Sequence, residues 1–245
     1  TNEVNLRKGN TFLSTPKLLN IDPDGLWFEE EQISALPLNR IASQDVKTQA
    51  LLEVQSDLST LYSKSLDKVK MKSYLQASFE YCCCQIEKLS NIYNRKDKEK
   101  IKDTLTLLNE NVIIMGDNEI ELVQSHGDLQ SSNILVNISN KKVYLIDWEY
   151  SKKRSIFYDA LVFETNARSP KGFADRLKAI LYEENSSWYW YKLSKDTKIS
   201  KSQLNIFLIE DLIVRLDELK IVNLINKDDG LSIWLDEVNK YMTDL

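Results

Sequence analysis

Glycine and proline are scarce in this chain, with six and four among 245 residues. That scarcity excludes collagen-like and elastic repeats and argues against a turn-dense all-β sandwich. Cysteine is nearly absent too, and the three that exist are consecutive: Cys82, Cys83 and Cys84. Neighbours at that spacing build no disulfide framework, and no second cluster completes a zinc site. They read as small apolar residues on a partly buried helix, and reduced thiols fit a cytoplasmic protein. No run of about 18 apolar residues occurs, so nothing reads as a membrane span. No signal peptide is visible either. Positive charge is in deficit: 32 basic against 37 acidic residues give a net charge of −5. A grip on nucleic acid through bulk positive charge is thereby excluded, although a local site can still hold an anion. What is present is a hydrophobic fraction of 42%, enough for a core and too much for a disordered chain. The length exceeds one minimal domain and falls short of three.

Residues 1–40 read as a small mixed segment. Glu3 to Lys8 form a helix end stopped by Gly9-Asn10. Residues 16–21 and 26–33 read as two strands joined by Asp22-Pro-Asp-Gly25, with Pro and Gly where a turn wants them. Residues 34–38 make a short connector. From Ser43 the period becomes helical: Ala50, Leu51, Val54, Leu58 and Leu61 form one apolar stripe. A second helix is expected from Leu66 to Leu89 and a third from Lys96 to Asn109. The mixed-sign run 95–100 is a solvated helix start. Asn133–Asn137 and Lys142–Ile146 then flank 138–141 as a β-hairpin, with Leu135 and Ile146 expected to face the interior. Beyond Asp159 the chain reads helical, over 175–183, 201–220 and 232–245. Strands in front and helices behind indicate an α+β fold with two lobes.

The chemistry concentrates in Ser125-His-Gly-Asp-Leu-Gln-Ser-Ser-Asn133 and Ile146-Asp-Trp-Glu149. Asp128 and Asn133 lie on a loop running into the first hairpin strand, and Asp147 ends the second. Hairpin pairing therefore returns Asp147 to the side of Asn133. Asn133 and Asp147 are hard oxygen donors that suit Mg²⁺, with phosphate and water completing its shell. Asp128 is then free to accept a hydroxyl proton, which is the equipment of phosphoryl transfer. Singly, each residue is as well explained by a turn or a cap. His126, the sole histidine, reads as a hydrogen-bonding brace for the loop.

The joint pattern, His-Gly-Asp, Asn133 five residues on, a hairpin, then Asp147 19 residues after Asp128, resembles the aminoglycoside phosphotransferase and choline/ethanolamine kinase families, relatives of the protein kinases. Gly127 stands where protein kinases carry Arg, and Trp148-Glu149 replace Phe-Gly. The resemblance implies a two-lobed protein-kinase-like α+β fold. Residues 1–38 would be a partial, β-rich N-lobe, and residues 39–245 a mostly helical C-lobe with the embedded hairpin. It implies Asp128 as catalytic base, Asn133 and Asp147 as Mg²⁺ ligands, and Asp159 as a second brace beside His126. Gln32, Ile33 and Ser34 would form the hinge that binds adenine, and Glu3 would be the helix-C glutamate. The implied activity moves the γ-phosphate of ATP or GTP to a hydroxyl of an amino alcohol, aminoglycoside or saccharide.

No glycine-rich loop and no strand lysine precede Glu3, and Lys8 and Lys17 lie downstream of that position. The expectation is a chain that has lost its first strands; the alternative is a kinase naturally lacking them. A nucleotide-binding scaffold without turnover is the second functional reading. For the acceptor, Glu149, Asp211 and Asp217 are acids able to hold a cation. Trp188 and Trp190, within an aromatic run, are able to pack a helix against the lobe core, or else to box an ammonium or stack on a sugar.

Overall fold

The computed structural model describes residues 2–24, 26–89, 93–113, 118–182, 199–222 and 229–244. The chain divides into two compact units, residues 1–66 with 123–163, and residues 67–122 with 164–245. The segment expected as a partial N-lobe thus shares a unit with the His126–Asp147 region. No helix among the described residues is long and apolar enough to cross a membrane.

The first unit opens on α1 (Asn2–Gly9) and an antiparallel ribbon of β1 (Leu18–Ile21) and β2 (Phe28–Glu30), paired Ile21↔Phe28 with an irregularity between Leu18 and Asn20. Arg7 fastens α1 to this ribbon. Its buried guanidinium bonds Glu3 at 3.0 Å, Glu30 at 2.9 Å and the Pro16 carbonyl. The link from α1 to β1 is held in turn: Ser14 N–H donates to Asp57 at 2.7 Å, and the Ser14 carbonyl accepts from Leu145 N–H at 2.6 Å. The expected connector after β2 contains β3 (Leu36–Pro37) and one 3-10 turn over Leu38–Arg40. Helix α2 (Gln44–Ser65) begins where Ser43 Oγ accepts from Val46 N–H at 3.4 Å. Its stripe buries Ala50, Val54, Leu58, Leu61 and also Tyr62, while Leu51 is half-buried.

Besides β3, three further strands escape the sequence reading. The second helix does not start at Leu66: residues 67–70 are β4 (Asp67–Lys70), and α3 runs over Met71–Lys88. Strand β4 pairs with β5 (Glu119–Ser125), Asp67↔Leu122 through Lys70↔Glu119, and that pairing overrides the local helical preference. The last residues of β5 lead straight into His126, beside β8 (Lys152–Ser155). The expected hairpin is present as β6 (Ile134–Val136) and β7 (Val143–Leu145), with β3 on the outer side of β6. Its facing differs from expectation. Ile134 and Val136 are buried, whereas Leu135 and Ile146 are half-buried, because Leu135 lies on the opposite face of the pleat. Helix α5 (Tyr158–Glu164) closes this unit.

The second unit packs α3 with α4 (Arg95–Ile113), α6 (Phe173–Tyr182), α7 (Lys201–Val222) and α8 (Asp229–Thr243). Its core includes Leu105, Phe173, Phe207, Leu212 and Trp234, all fully buried. On α3, Cys82 is buried, Cys83 half-buried and Cys84 exposed, and none is disulfide-bonded. Arg95 and Glu99 pair at 2.8 Å on an exposed face, as a solvated helix start requires. Asp211 is not available for a cationic acceptor: it is fully buried and paired to Arg168 at 2.9 Å and Arg215 at 3.0 Å. Asp217 accepts from the Tyr81 hydroxyl at 2.6 Å.

Two stability predictions follow from these placements. Ile134→Ala should destabilise by about 2–5 kcal/mol, and Leu135→Ala by well under half as much, read by chemical denaturation; equal losses would contradict the register. Glu164 supplies the second. Its Oε1 is buried with no hydrogen-bond partner among the described residues, and burial pushes its carboxyl up to about 8. The folded chain therefore favours the protonated acid, so stability should fall as pH rises from about 4.5, the ordinary glutamate range, to 8. Glu164→Gln should flatten that slope in melts across the same window.

Candidate active site

The site grows from a short loop between β5 and β6. Asp159, fully buried in the first turn of α5, accepts three hydrogen bonds: from Tyr62 Oη at 2.7 Å, His126 N–H at 2.7 Å and Gly127 N–H at 2.9 Å. Burial and the adjacent carboxylate push the Tyr62 phenol well above its usual range, so Tyr62 is a fixed donor. Asp159 and His126 are thus brought together.

His126 is fully buried, and burial holds its ring below the ordinary histidine value. Asp128 N–H can only donate, and it points at His126 Nδ1 at 3.3 Å. Nδ1 is therefore the acceptor, and the proton sits on Nε2, which donates to the Ile146 carbonyl at 3.0 Å. One neutral ring thereby ties the backbone of Asp128 to the residue before Asp147. Trp148 covers that ring at 4.4 Å between centroids, and its Nε1 donates to the Leu145 carbonyl at 3.2 Å.

Gly127 adopts φ +93°, and a Cβ there would come within 2.6 Å of the Tyr150 carbonyl carbon and overlap its oxygen. A side chain at this point is excluded by backbone on the far side of the loop. The turn 148–151 supplies that backbone. It closes through Ser151 N–H to the Trp148 carbonyl at 3.0 Å and is stitched to β5 by Ser151 Oγ on the Ser125 carbonyl at 2.6 Å. Buried Arg154 joins the same two segments through Ser125 Oγ at 2.8 Å and the Tyr150 carbonyl at 2.9 Å.

Asp128 and Asn133 meet directly. Asn133 Nδ2 donates to the Asp128 carbonyl at 2.9 Å and to Asp128 Oδ2 at 3.0 Å, while Gln130 Nε2 reaches the same Oδ2 at 2.8 Å. The Asn133 carbonyl accepts from Ile146 N–H at 3.1 Å, so the hairpin register puts Asp147 next to Asn133 in the ladder. Asp147 has φ +66°, a left-handed conformation uncommon outside glycine. As a residue it is exposed, yet its carboxyl is partly withdrawn from water. That burial, with Glu149, Asp128 and Glu3 adding negative charge, pushes it up to about 6. Glu3 and Glu149 therefore belong to the same electrostatic neighbourhood as the loop.

This donor set fits Mg²⁺. Asn133 has committed its amide nitrogen to Asp128, leaving Oδ1 as its oxygen donor, and Asp147 is a carboxylate among acids that a dication would relieve. Among the described residues no three His, Cys, Asp or Glu side chains converge on one metal-sized point.

Gln32 and Ser34 are exposed and Ile33 is half-buried on an irregular stretch between β2 and β3. Trp188 and Trp190 lie outside the described residues. Sequence reading passed over Tyr62, Gln130, Arg7 and Arg154. Tyr62 was legible as the continuation of the α2 stripe, four residues beyond Leu58; Gln130 carried no periodic or motif signal.

The choline/ethanolamine kinase family profile matches residues 12–229. The chain belongs to the choline/ethanolamine kinase family. It is accordingly a small-molecule kinase that uses a nucleotide. The choline kinase LicA from Streptococcus pneumoniae is similar over 100% of this chain and 79% of its own, with a TM-score of 0.62 and 18% identity. LicA in complex with AMP gives 0.60 and 17%, covering 99% of this chain and 77% of that one. The Plasmodium vivax ethanolamine kinase gives 0.55 and 14%, over 96% and 69%. At these identities the likeness speaks for the fold, which is the kinase-like α+β mixture with mostly helical content. No curated protein sequence matches the chain significantly.

Gly127→Ala tests the loop. Strain and overlap together should cost roughly 3 kcal/mol or more, seen as a lower unfolding midpoint. A midpoint equal to that of wild type would mean that the loop does not pass Tyr150 so closely.

Proposed function

We propose that this chain transfers the γ-phosphate of ATP to the hydroxyl of a small amino alcohol of the choline or ethanolamine class. The observation that carries the reading is the junction of Asp128 and Asn133 at 3.0 Å, with the hairpin register setting Asp147 beside them. Asp128 orients the acceptor hydroxyl and takes its proton as the bond to phosphorus forms. Asn133 Oδ1 and the Asp147 carboxylate hold Mg²⁺, which supplies charge neutralisation on the phosphates when bound. His126 and Asp159 keep the loop in shape. Residues 32–34 act as the adenine hinge, and Glu3 as the helix-C glutamate, kept in place by Arg7. In this assignment residues 1–38 serve as the partial N-lobe and 39–245 as the C-lobe, in a cytoplasmic enzyme. The amino-alcohol class rests on the family match, and Glu149, exposed near Asp147, offers a carboxylate to a cationic acceptor.

Nucleotide consumption should be measured with choline, ethanolamine, an aminoglycoside and glucosamine as acceptors. Turnover is expected with the first two. Asp128→Asn should lower it by ~10²–10⁴ with little change in nucleotide affinity. Asp147→Asn, which tolerates the left-handed backbone, should weaken Mg-nucleotide binding about tenfold or more by calorimetry. Nucleotide binding without turnover on any acceptor would favour the scaffold reading instead.

A further inference from the structure

Catalysis by Asp128 needs more than its presence in the loop. A carboxylate rotates easily about its Cβ–Cγ bond, since that torsion is broad and two-fold. A base must instead present one oxygen at a fixed place, because displacements of about an ångström forfeit large factors in rate. The backbone of Asp128 is already fixed from both ends: His126 Nδ1 accepts from its N–H, and Asn133 donates to its carbonyl. The side chain is another matter. Asn133 is its first donor, but that residue also offers its Oδ1 to the candidate metal site, so its orientation serves two demands. Gln130 brings a second N–H to the same Oδ2, at 2.8 Å against 3.0 Å for Asn133.

We infer that Gln130 is a positioning residue for Asp128. Its carboxamide and that of Asn133 clamp Oδ2 between two donors, fix the plane of the carboxylate and turn the Oδ1 edge toward the acceptor hydroxyl. Gln130 touches neither nucleotide nor metal in this role; it acts through Asp128. The assignment rests on the kinase reading given above.

Three consequences separate it from a merely structural role. Gln130→Met keeps the length and loses the donor. With choline and Mg-ATP it should lower kcat about tenfold, the scale of a lost hydrogen bond to a charged group, while the nucleotide KM stays within about twofold. Gln130→Glu keeps the shape but sets an acceptor against Oδ2, so it should fall below the Met variant. In a double-mutant cycle, Gln130→Met placed on Asp128→Ala should have no further effect, because nothing remains to be positioned. Ethanolamine, and water as acceptor in nucleotide hydrolysis, serve as parallel substrates. A wild-type kcat for Gln130→Met, a Glu variant better than the Met variant, or independent losses in the cycle would each overturn the role of Gln130. A kinase reading that is itself mistaken shows differently: Asp128→Ala retains turnover, or wild type turns over none of the three acceptors, and the assignment falls with it.

Discussion

The Asp159 carboxylate organises the candidate active site, because two consecutive backbone N–H groups of the loop between β5 and β6, those of His126 and Gly127, have it as their acceptor. A buried amide without an acceptor is destabilising by about 1–3 kcal/mol, and two in succession would open the loop. The carboxylate has its own requirement, since a buried charge must be hydrogen-bonded to be tolerated, and the Tyr62 hydroxyl on α2 adds a third donor. From this point the constraint passes outward. With His126 fixed, its ring reaches Asp128 on one side and Ile146 on the other; with Gly127 fixed at φ +93°, the chain turns without striking Tyr150.

Charge is treated differently in the two compact units. In residues 67–122 and 164–245, the buried Asp211 lies between two arginines, and Arg215 also reaches the Ala167 carbonyl at 2.6 Å. Those charges are satisfied internally. In the other unit, partial burial of Asp147, together with repulsion from Glu149, Asp128 and Glu3, raises Asp147 to about 6. Acids gathered in this way carry an electrostatic strain that a cation relieves, and the left-handed backbone at Asp147 adds to it. Strain of this kind is tolerated where function needs it and where surrounding bonds over-determine the geometry. Here those bonds are the Ile146 N–H to Asn133 and His126 to the Ile146 carbonyl.

How much could be read in advance depended on whether the signal was local. The α2 stripe, the Ser43 cap, the hairpin and the ribbon at the front all follow from periodicity and turn chemistry within a few residues. Strand β4 was missed because Asp67-Lys-Val-Lys70 has a single apolar residue, and its extended form depends on β5, some 50 residues away. Strand β8, with no apolar residue at all in Lys152–Ser155, is likewise set by its neighbours. The inward face of the hairpin was misjudged for a related reason: alternation tells which residues share a face, and the packing partners decide which face is inside.

The sequence by itself determined the class of chemistry. His-Gly-Asp, Asn133, a hairpin and Asp147 specify two carboxylates and a carboxamide in one place, since hairpin pairing is a local event and needs no distant partner. It also set the mostly helical α+β character through the 3.6-residue period. The tertiary structure decided the rest: the protonated nitrogen of His126, the bond from Tyr62 to Asp159 across 97 positions, the contact between Gly127 and Tyr150, and the convergence of Gln130 and Asn133 on one oxygen. None of these leaves a periodic trace in the chain. Each depends on a direction in space, and hydrogen bonds are directional where the hydrophobic pattern is not.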